Sequence, residues 1–174
     1  LAAGYDGFLR TNEMLDLQLG DVQVDELDTG VISLRRTKSG QRNAANEAGI
    51  RLDPLFGRLW RLFRRHMPAD CHHDLQIYLS PKHFHLRFAA AAAHYLSHFN
   101  FRGYSIRRGG ATSFFRKTGS MSRTIERCRW ATAKVARIYV TDGLSKEIEQ
   151  RFRPDTTARL NRARVQLLAL LDAV

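Results

Sequence analysis

The sequence predicts a mainly α-helical chain with a small antiparallel β-sheet, an α+β class, and it reads as a single domain over residues 1–174. Three observations carry that expectation. Apolar residues recur at helical spacing through most of the chain. One short region, from Val22 to Leu52, alternates apolar and polar residues instead. Pro, Gly, Ser and Asp stand between the periodic segments, where helices and strands have to start or stop.

The opening "LAAGYDGFLR" reads as the middle of a helix, which suggests that an N-terminal part is missing. "FLRTNEMLDLQL" places Phe8, Leu9, Met14, Leu15, Leu17 and Leu19 at helical spacing and predicts a helix ending near "GDVQVDELDTG". Val22 and Val24 alternate, "LDTG" turns, and Val31, Ile32 and Leu34 resume, so a β-hairpin is expected. "GIRLDPL" offers a third strand with Ile50 and Leu52 on one face. Pro54 opens a helix with Leu55, Leu59, Leu62 and Phe63 as its apolar face. After a polar loop, Ser80 reads as an N-cap with Pro81 at the first helical position, starting a helix through Tyr95 and Leu96. "YSIRRGGATSFFRKTG" is a helix closed by Gly119, "MSRTIERC" a short one capped by Ser122, and "ATAKVARIYV" another. Residues Thr157 to Val174 form a leucine-rich amphipathic helix.

Charge supplies the first functional constraint. There are 28 Lys and Arg against 17 Asp and Glu, a formal net charge of +11 that favours a polyanionic partner, most often nucleic acid. The charge is also uneven. From Leu1 to Leu34 there are seven acidic residues and one cation, Arg10; from Phe101 to Tyr139 there are ten cations and one acid, Glu126. Two cysteines, Cys71 and Cys128, are too few for a disulfide framework and fit a reducing, intracellular setting. The apolar run Ala89 to Ala93 is too short to span a membrane, and no membrane partner is expected.

Four segments, in order, resemble the catalytic domain of the tyrosine recombinase/integrase family, over about Gly4 to Val140. "GFLRTNEML" resembles its first arginine box, with Arg10 followed three residues later by Glu13. "LRRTKSGQ" resembles the hairpin motif, placing Lys38 after the second strand. "GYSIRRGGAT" resembles the His-x-x-Arg box, with Arg107 as its arginine and Tyr104 where the histidine stands. "RCRWATAKVARIYV" resembles the final segment, where Trp130 precedes Tyr139 by nine residues. The arginine-glycine-glycine form also resembles recombinases of eukaryotic mobile elements, which would place the chain in a nucleus.

The resemblance implies site-specific DNA recombination by strand cleavage and rejoining. Tyr139 attacks a phosphodiester, leaving a 3′-phosphotyrosine and a free 5′-hydroxyl. The bond energy stays in that covalent intermediate, so no cofactor, neither ATP nor a metal, is needed. Arg10 and Arg107 face the negative charge that grows on the non-bridging oxygens, a task suited to always-ionised, bidentate guanidinium groups. Lys38 protonates the leaving 5′-oxygen, and Trp130 offers its indole N–H to a phosphate oxygen. Glu13 supports Arg10. Tyr104 can donate a hydrogen bond, but its ordinary pKa near 10 makes it a poor base. Arg102, Arg108, Arg129 and Lys134 are expected on double-stranded DNA. The family implies a homotetramer on paired sites, with the helix 157–174 docking on a neighbouring subunit, and an N-terminal DNA-binding domain that this sequence lacks.

Taken singly, each of these residues has a plainer reading. Arg10 could be an ion-pair partner of Glu13 or Asp16, Lys38 and Arg108 solvated cations, Trp130 and Tyr139 core aromatics. Their shared order favours the site. Two rivals stay open: a catalytically impaired DNA-binding remnant, suggested by Tyr104, and a type IB topoisomerase that relaxes DNA without exchanging strands. "CHH" at 71–73, with His83 and His85, matches no common zinc spacing. Gly109 and Gly110 are expected to permit close packing.

Overall fold

The computed structural model describes residues 1–34, 48–68, 70–72, 80–96, 99, 101–140 and 142–173. Lys38 and its hairpin tip lie outside the described residues, as does His73 of the histidine cluster. The chain opens with two short helices, α1 (Ala2–Asp6) and α2 (Thr11–Leu15), and a 3₁₀ turn at Leu19–Asp21. Strands β1 (Val22–Val24), β2 (Gly30–Leu34) and β3 (Ala48–Leu52) follow. Helices α3 (Pro54–Arg65), α4 (Pro81–Leu96), α5 (Gly103–Thr118), α6 (Met121–Arg127), α7 (Ala133–Tyr139), α8 (Asp142–Gln150) and α9 (Pro154–Asp172) complete the described chain. The mainly α architecture with one small antiparallel sheet is as expected.

The sheet has the order β1-β2-β3, antiparallel throughout. Its register sets Val22 opposite Ile32 and Ile32 opposite Ile50, so these side chains share one face. Ile32, Leu34, Ile50 and Leu52 are buried with Leu9, Met14, Leu15, Leu17, Phe56 and Phe84 in a first core cluster. A second cluster gathers Phe8, Ala111, Cys128, Trp130 and Ala136, with Phe114, Ile125 and Tyr139 against it. Neighbouring residues Phe8 and Leu9 thus enter different clusters, and the chain between α1 and α2 stitches the two together.

Local signals account for most boundaries. Asp53 Oδ1 accepts the Leu55 N–H at 3.1 Å and Pro54 takes the first turn of α3. Ser80 Oγ accepts the His83 N–H at 3.2 Å at the start of α4. Gly119, left-handed at φ 63°, ends α5.

Four expectations are corrected. The helix expected from Phe8 is broken instead: Phe8 itself takes φ 49°, and the chain does not turn helical again until Thr11. The burial of Phe8 and Leu9 in opposite clusters outweighs their helical spacing. On α3 the buried residues are Phe56 and Gly57, while Leu55 is exposed; a Cβ at residue 57 would sit 1.9 Å from the Asp28 carbonyl oxygen, so the helix turns its glycine to the β1–β2 turn. The cap of α6 is Ser120, whose Oγ accepts the Arg123 N–H at 3.3 Å, and Ser122 lies inside the helix. The final helix begins at Pro154 rather than Thr157, with proline in its first turn. Helix α8 was not expected at all, since its sequence "DGLSKEIEQ" is mostly polar; Arg116 on α5 reaches it through a 2.8 Å ion pair with Glu149.

Helix α9 lies against α3 and α4, tied by Arg58–Asp172 at 2.6 Å and by Arg159 Nη2 donating to the His94 carbonyl at 2.7 Å. Of its leucines Leu171 is buried, while Leu167, Leu168 and Leu170 are exposed. Among the described residues no helix is long and apolar enough to cross a membrane.

Candidate active site

The break after α1 is what places Arg10. Extended at φ −66° and ψ 153°, Arg10 is the N-cap of α2. Glu13, three residues on, reaches back to accept the Arg10 backbone N–H through Oε2 at 2.8 Å. Its other oxygen, Oε1, accepts Arg10 Nη1 at 2.6 Å. The Arg-x-x-Glu spacing is therefore a helix start that also aims a guanidinium.

Helix α5 brings Tyr104 and Arg107 one turn apart on neighbouring positions. Arg107 is 1% exposed, and its Nη2 donates to the Cys128 carbonyl at 2.8 Å. The two glycines behind it resolve as packing residues. A Cβ on residue 110 would stand 1.9 Å from the Tyr5 carbonyl oxygen, and one on residue 109 would stand 3.3 Å from the Tyr5 ring. Close approach of the α1 backbone demands glycine at 110, and this contact sinks α5 deep enough to bury Arg107.

The third contribution comes from the end of α6. Trp130 N–H donates to the Ile125 carbonyl at 3.0 Å, a Schellman-type ending in which Arg129 takes the left-handed position at φ 57°. Glycine is the usual residue there. The reversal turns Arg129 Nη2 onto Glu13 Oε2 at 2.9 Å and lays Trp130 against Arg107, 5.8 Å from ring centroid to guanidinium carbon. Thr132 then caps α7, its Oγ1 accepting the Val135 N–H at 3.3 Å. Tyr139, last residue of α7, lies 4.8 Å from the Trp130 ring, 5.3 Å from the Tyr104 ring, and 5.7 Å from the Arg107 guanidinium carbon.

The structure thus brings together Arg10, Glu13, Tyr104, Arg107, Arg129, Trp130 and Tyr139. Three guanidinium groups surround one carboxylate, since Arg107 Nη1 is 3.8 Å from Glu13 Oε2. Two positive charges remain in excess, and burying them is costly without an anion. Burial first, then the charge of Arg10, pulls the Arg107 pKa down from its ordinary value; burial does the same to Arg129, opposed by Glu13. Guanidinium groups start so high that both stay ionised. Buried donors remain here without a hydrogen-bond partner: Nε and Nη1 of Arg107, Nε and Nη1 of Arg129, and Nε1 of Trp130. Positive, donor-rich and acceptor-poor, this cluster is chemically matched to an oxyanion.

The other cations behave differently. Arg129 was grouped in sequence with the DNA-contacting residues, yet it belongs to the Glu13 cluster. Nothing in its residue type indicates this, although its position beside Trp130 is a hint. Arg102 is the exposed N-cap of α5, Arg108 is half-buried near Tyr104, and Lys134 is exposed in the first turn of α7. A contribution missed in sequence is the Cys128 carbonyl that anchors Arg107.

No protein-family model matches the chain, and no curated protein matches it. Solved structures do. The XerA recombinase superposes with a TM-score of 0.59 at 16% identity, covering 87% of this chain and 57% of that one. The XerH site-specific recombinase bound to difH substrate, a pre-cleavage complex, gives 0.54 at 17% identity over 83% of this chain and 42% of that one. XerH bound to palindromic difH substrate, a post-cleavage complex, gives 0.57 at 16% identity over 92% of this chain and 42% of that one. This chain thus spans about half the length of the recombinases it matches. Its fold is that of a tyrosine recombinase catalytic domain, as the order of its motifs led one to expect.

Proposed function

We propose that this chain cuts and rejoins double-stranded DNA at specific sites through a covalent tyrosine intermediate. In the proposed step Tyr139 Oη attacks a backbone phosphorus, the P–O5′ bond breaks, and a 3′-phosphotyrosine and a 5′-hydroxyl result. The tyrosine proton passes to solvent and Lys38 protonates the departing oxygen. Arg10 and Arg107 neutralise the charge on the non-bridging oxygens, and Trp130 Nε1 donates to one of them. Attack by the 5′-hydroxyl of a second strand reverses the step, and so exchanges strands, as integration or excision of a mobile element requires.

The observation that carries this reading is the packing of Tyr139 against both Trp130 and Arg107, beside buried arginine and indole donors without partners. Arginines and a partly buried tyrosine at one point are what phosphoryl transfer to tyrosine needs. Assembly as a homotetramer on paired sites belongs to the same proposal, with the exposed Leu167, Leu168 and Leu170 of α9 available to a neighbouring subunit.

A DNA substrate nicked beside the scissile phosphate tests it, because the severed end diffuses away and traps the adduct. Covalent protein–DNA product on Tyr139 is the expected result. A second reading, DNA binding without cleavage, is favoured by Tyr104 in the histidine position. It predicts retention of the same DNA with no adduct at any time.

A further inference from the structure

Glu13 is shared by three arginines, but unequally. Arg10 takes both oxygens, through Nη1 at 2.6 Å and the backbone N–H at 2.8 Å. Arg129 Nη2 takes Oε2 at 2.9 Å. Arg107 Nη1 stands 3.8 Å from that same Oε2, beyond hydrogen-bonding distance, although it is the most deeply buried of the three. Its Nε and Nη1 consequently have no acceptor, while Nη2 is held by Cys128.

Arg129 reaches Glu13 from a strained place. Its φ of 57° is the left-handed conformation that ends α6, where glycine would sit more comfortably. An arginine kept there, with its side chain 19% exposed and paired to a residue on α2, has a use for its guanidinium.

We infer that Arg129 is a positioning residue that occupies Glu13 so that Arg107 does not. A buried carboxylate within 3.8 Å is the natural partner of a buried arginine. With Oε2 already filled, Arg107 keeps two N–H donors available for a non-bridging phosphate oxygen. This inference rests on the phosphodiester reading of the site and names a residue that sets its strength.

The test uses inorganic phosphate as the probe, on the whole chain without DNA, followed by the NMR signals of the arginine Nε–H groups. Arg129→Gly suits the left-handed backbone, so it removes the guanidinium without straining the turn. It should weaken phosphate binding by about tenfold or more, the worth of one charge-assisted hydrogen bond. Adding Glu13→Gln should restore most of that loss, because the neutral amide no longer draws Arg107 away. In the unaltered chain, phosphate should shift the Arg107 Nε–H signal and leave that of Arg129 nearly still. Unchanged affinity in Arg129→Gly, a loss that Glu13→Gln does not recover, or an Arg129 signal that moves with Arg107 would each overturn the inference. The measurement on the unaltered chain decides it even where the variants do not fold. Cleavage of the nicked substrate is scored separately. A chain that shows the phosphate rescue but forms no adduct loses the cleavage reading alone; one that cleaves equally well as Arg129→Gly loses only this inference.

Discussion

The rings of Tyr104 and Tyr139 lie 5.3 Å apart, tilted by 48°. Burial first, then the neighbouring Tyr139 hydroxyl, pushes Tyr104 up to about 12. A phenol so reluctant to ionise stays a hydrogen-bond donor, and its ring packs beside the tyrosine proposed as nucleophile. In the proposed reaction Tyr104 would steady the attacking oxygen rather than transfer a proton.

Cleavage should respond accordingly. Tyr104→Phe removes the donor and should lower the single-turnover cleavage rate by about tenfold, the value of one hydrogen bond. Tyr104→His should match or exceed the unaltered rate and add an inflection near pH 6.5, the ordinary histidine value. A pH–rate profile for Tyr104→His without that inflection would show that residue 104 takes no part in proton transfer.

The same pKa makes a stability prediction. Below about pH 10, the ordinary tyrosine value, Tyr104 is protonated in both folded and unfolded chains and its contribution is whole. As pH rises toward about 12 the unfolded chain releases the proton first, so stability falls. Urea midpoints measured across that window should decline less in Tyr104→Phe.

Arg10→Lys should keep DNA affinity within a few fold and lose most cleavage. Lysine retains the charge but not the fork that grips Glu13 with one nitrogen and leaves others for phosphate. By analogy with removal of an oxyanion donor, the loss should be about a hundredfold or more. Cleavage near the unaltered rate would reduce Arg10 to an ion-pair residue.

Tyr139→Phe should abolish the covalent adduct, since no other oxygen replaces the nucleophile. Peptide mapping of the DNA-linked fragment provides the control. An adduct on Tyr104, with Tyr139 unmodified, would overturn the assignment.

Gly110→Ala should destabilise the fold by about 3 kcal/mol, at the upper end for overpacking a close contact, because the new methyl would meet the Tyr5 carbonyl oxygen at 1.9 Å and the Phe8 ring at 2.8 Å. Gly119→Ala meets nothing within 4 Å and is strained only by its φ of 63°. It should cost about 1 kcal/mol. Thermal melts of the two variants separate a packing glycine from a turn glycine.

The sequence by itself located most of the elements. Alternation located the sheet, Pro54 and Ser80 with Pro81 located helix starts, and the resemblance of four segments to a known family put forward Arg10, Arg107, Trp130 and Tyr139. The element signals are local, set by backbone hydrogen-bonding needs and side-chain periodicity, so they survive without a fold. Tertiary structure decided what depends on distant neighbours. Only the two separate clusters show why the helix breaks at Phe8, and only the approach of Tyr5 shows why residue 110 is glycine. Arg129 is the sharpest case: in sequence it is one of ten cations between Phe101 and Tyr139, set apart only by standing next to Trp130. Its left-handed turn and the 2.9 Å reach to a carboxylate 116 residues away bring it into the cluster around Glu13. Charge pairing inside a protein depends on which groups burial leaves within reach of each other, and a linear pattern does not carry that information.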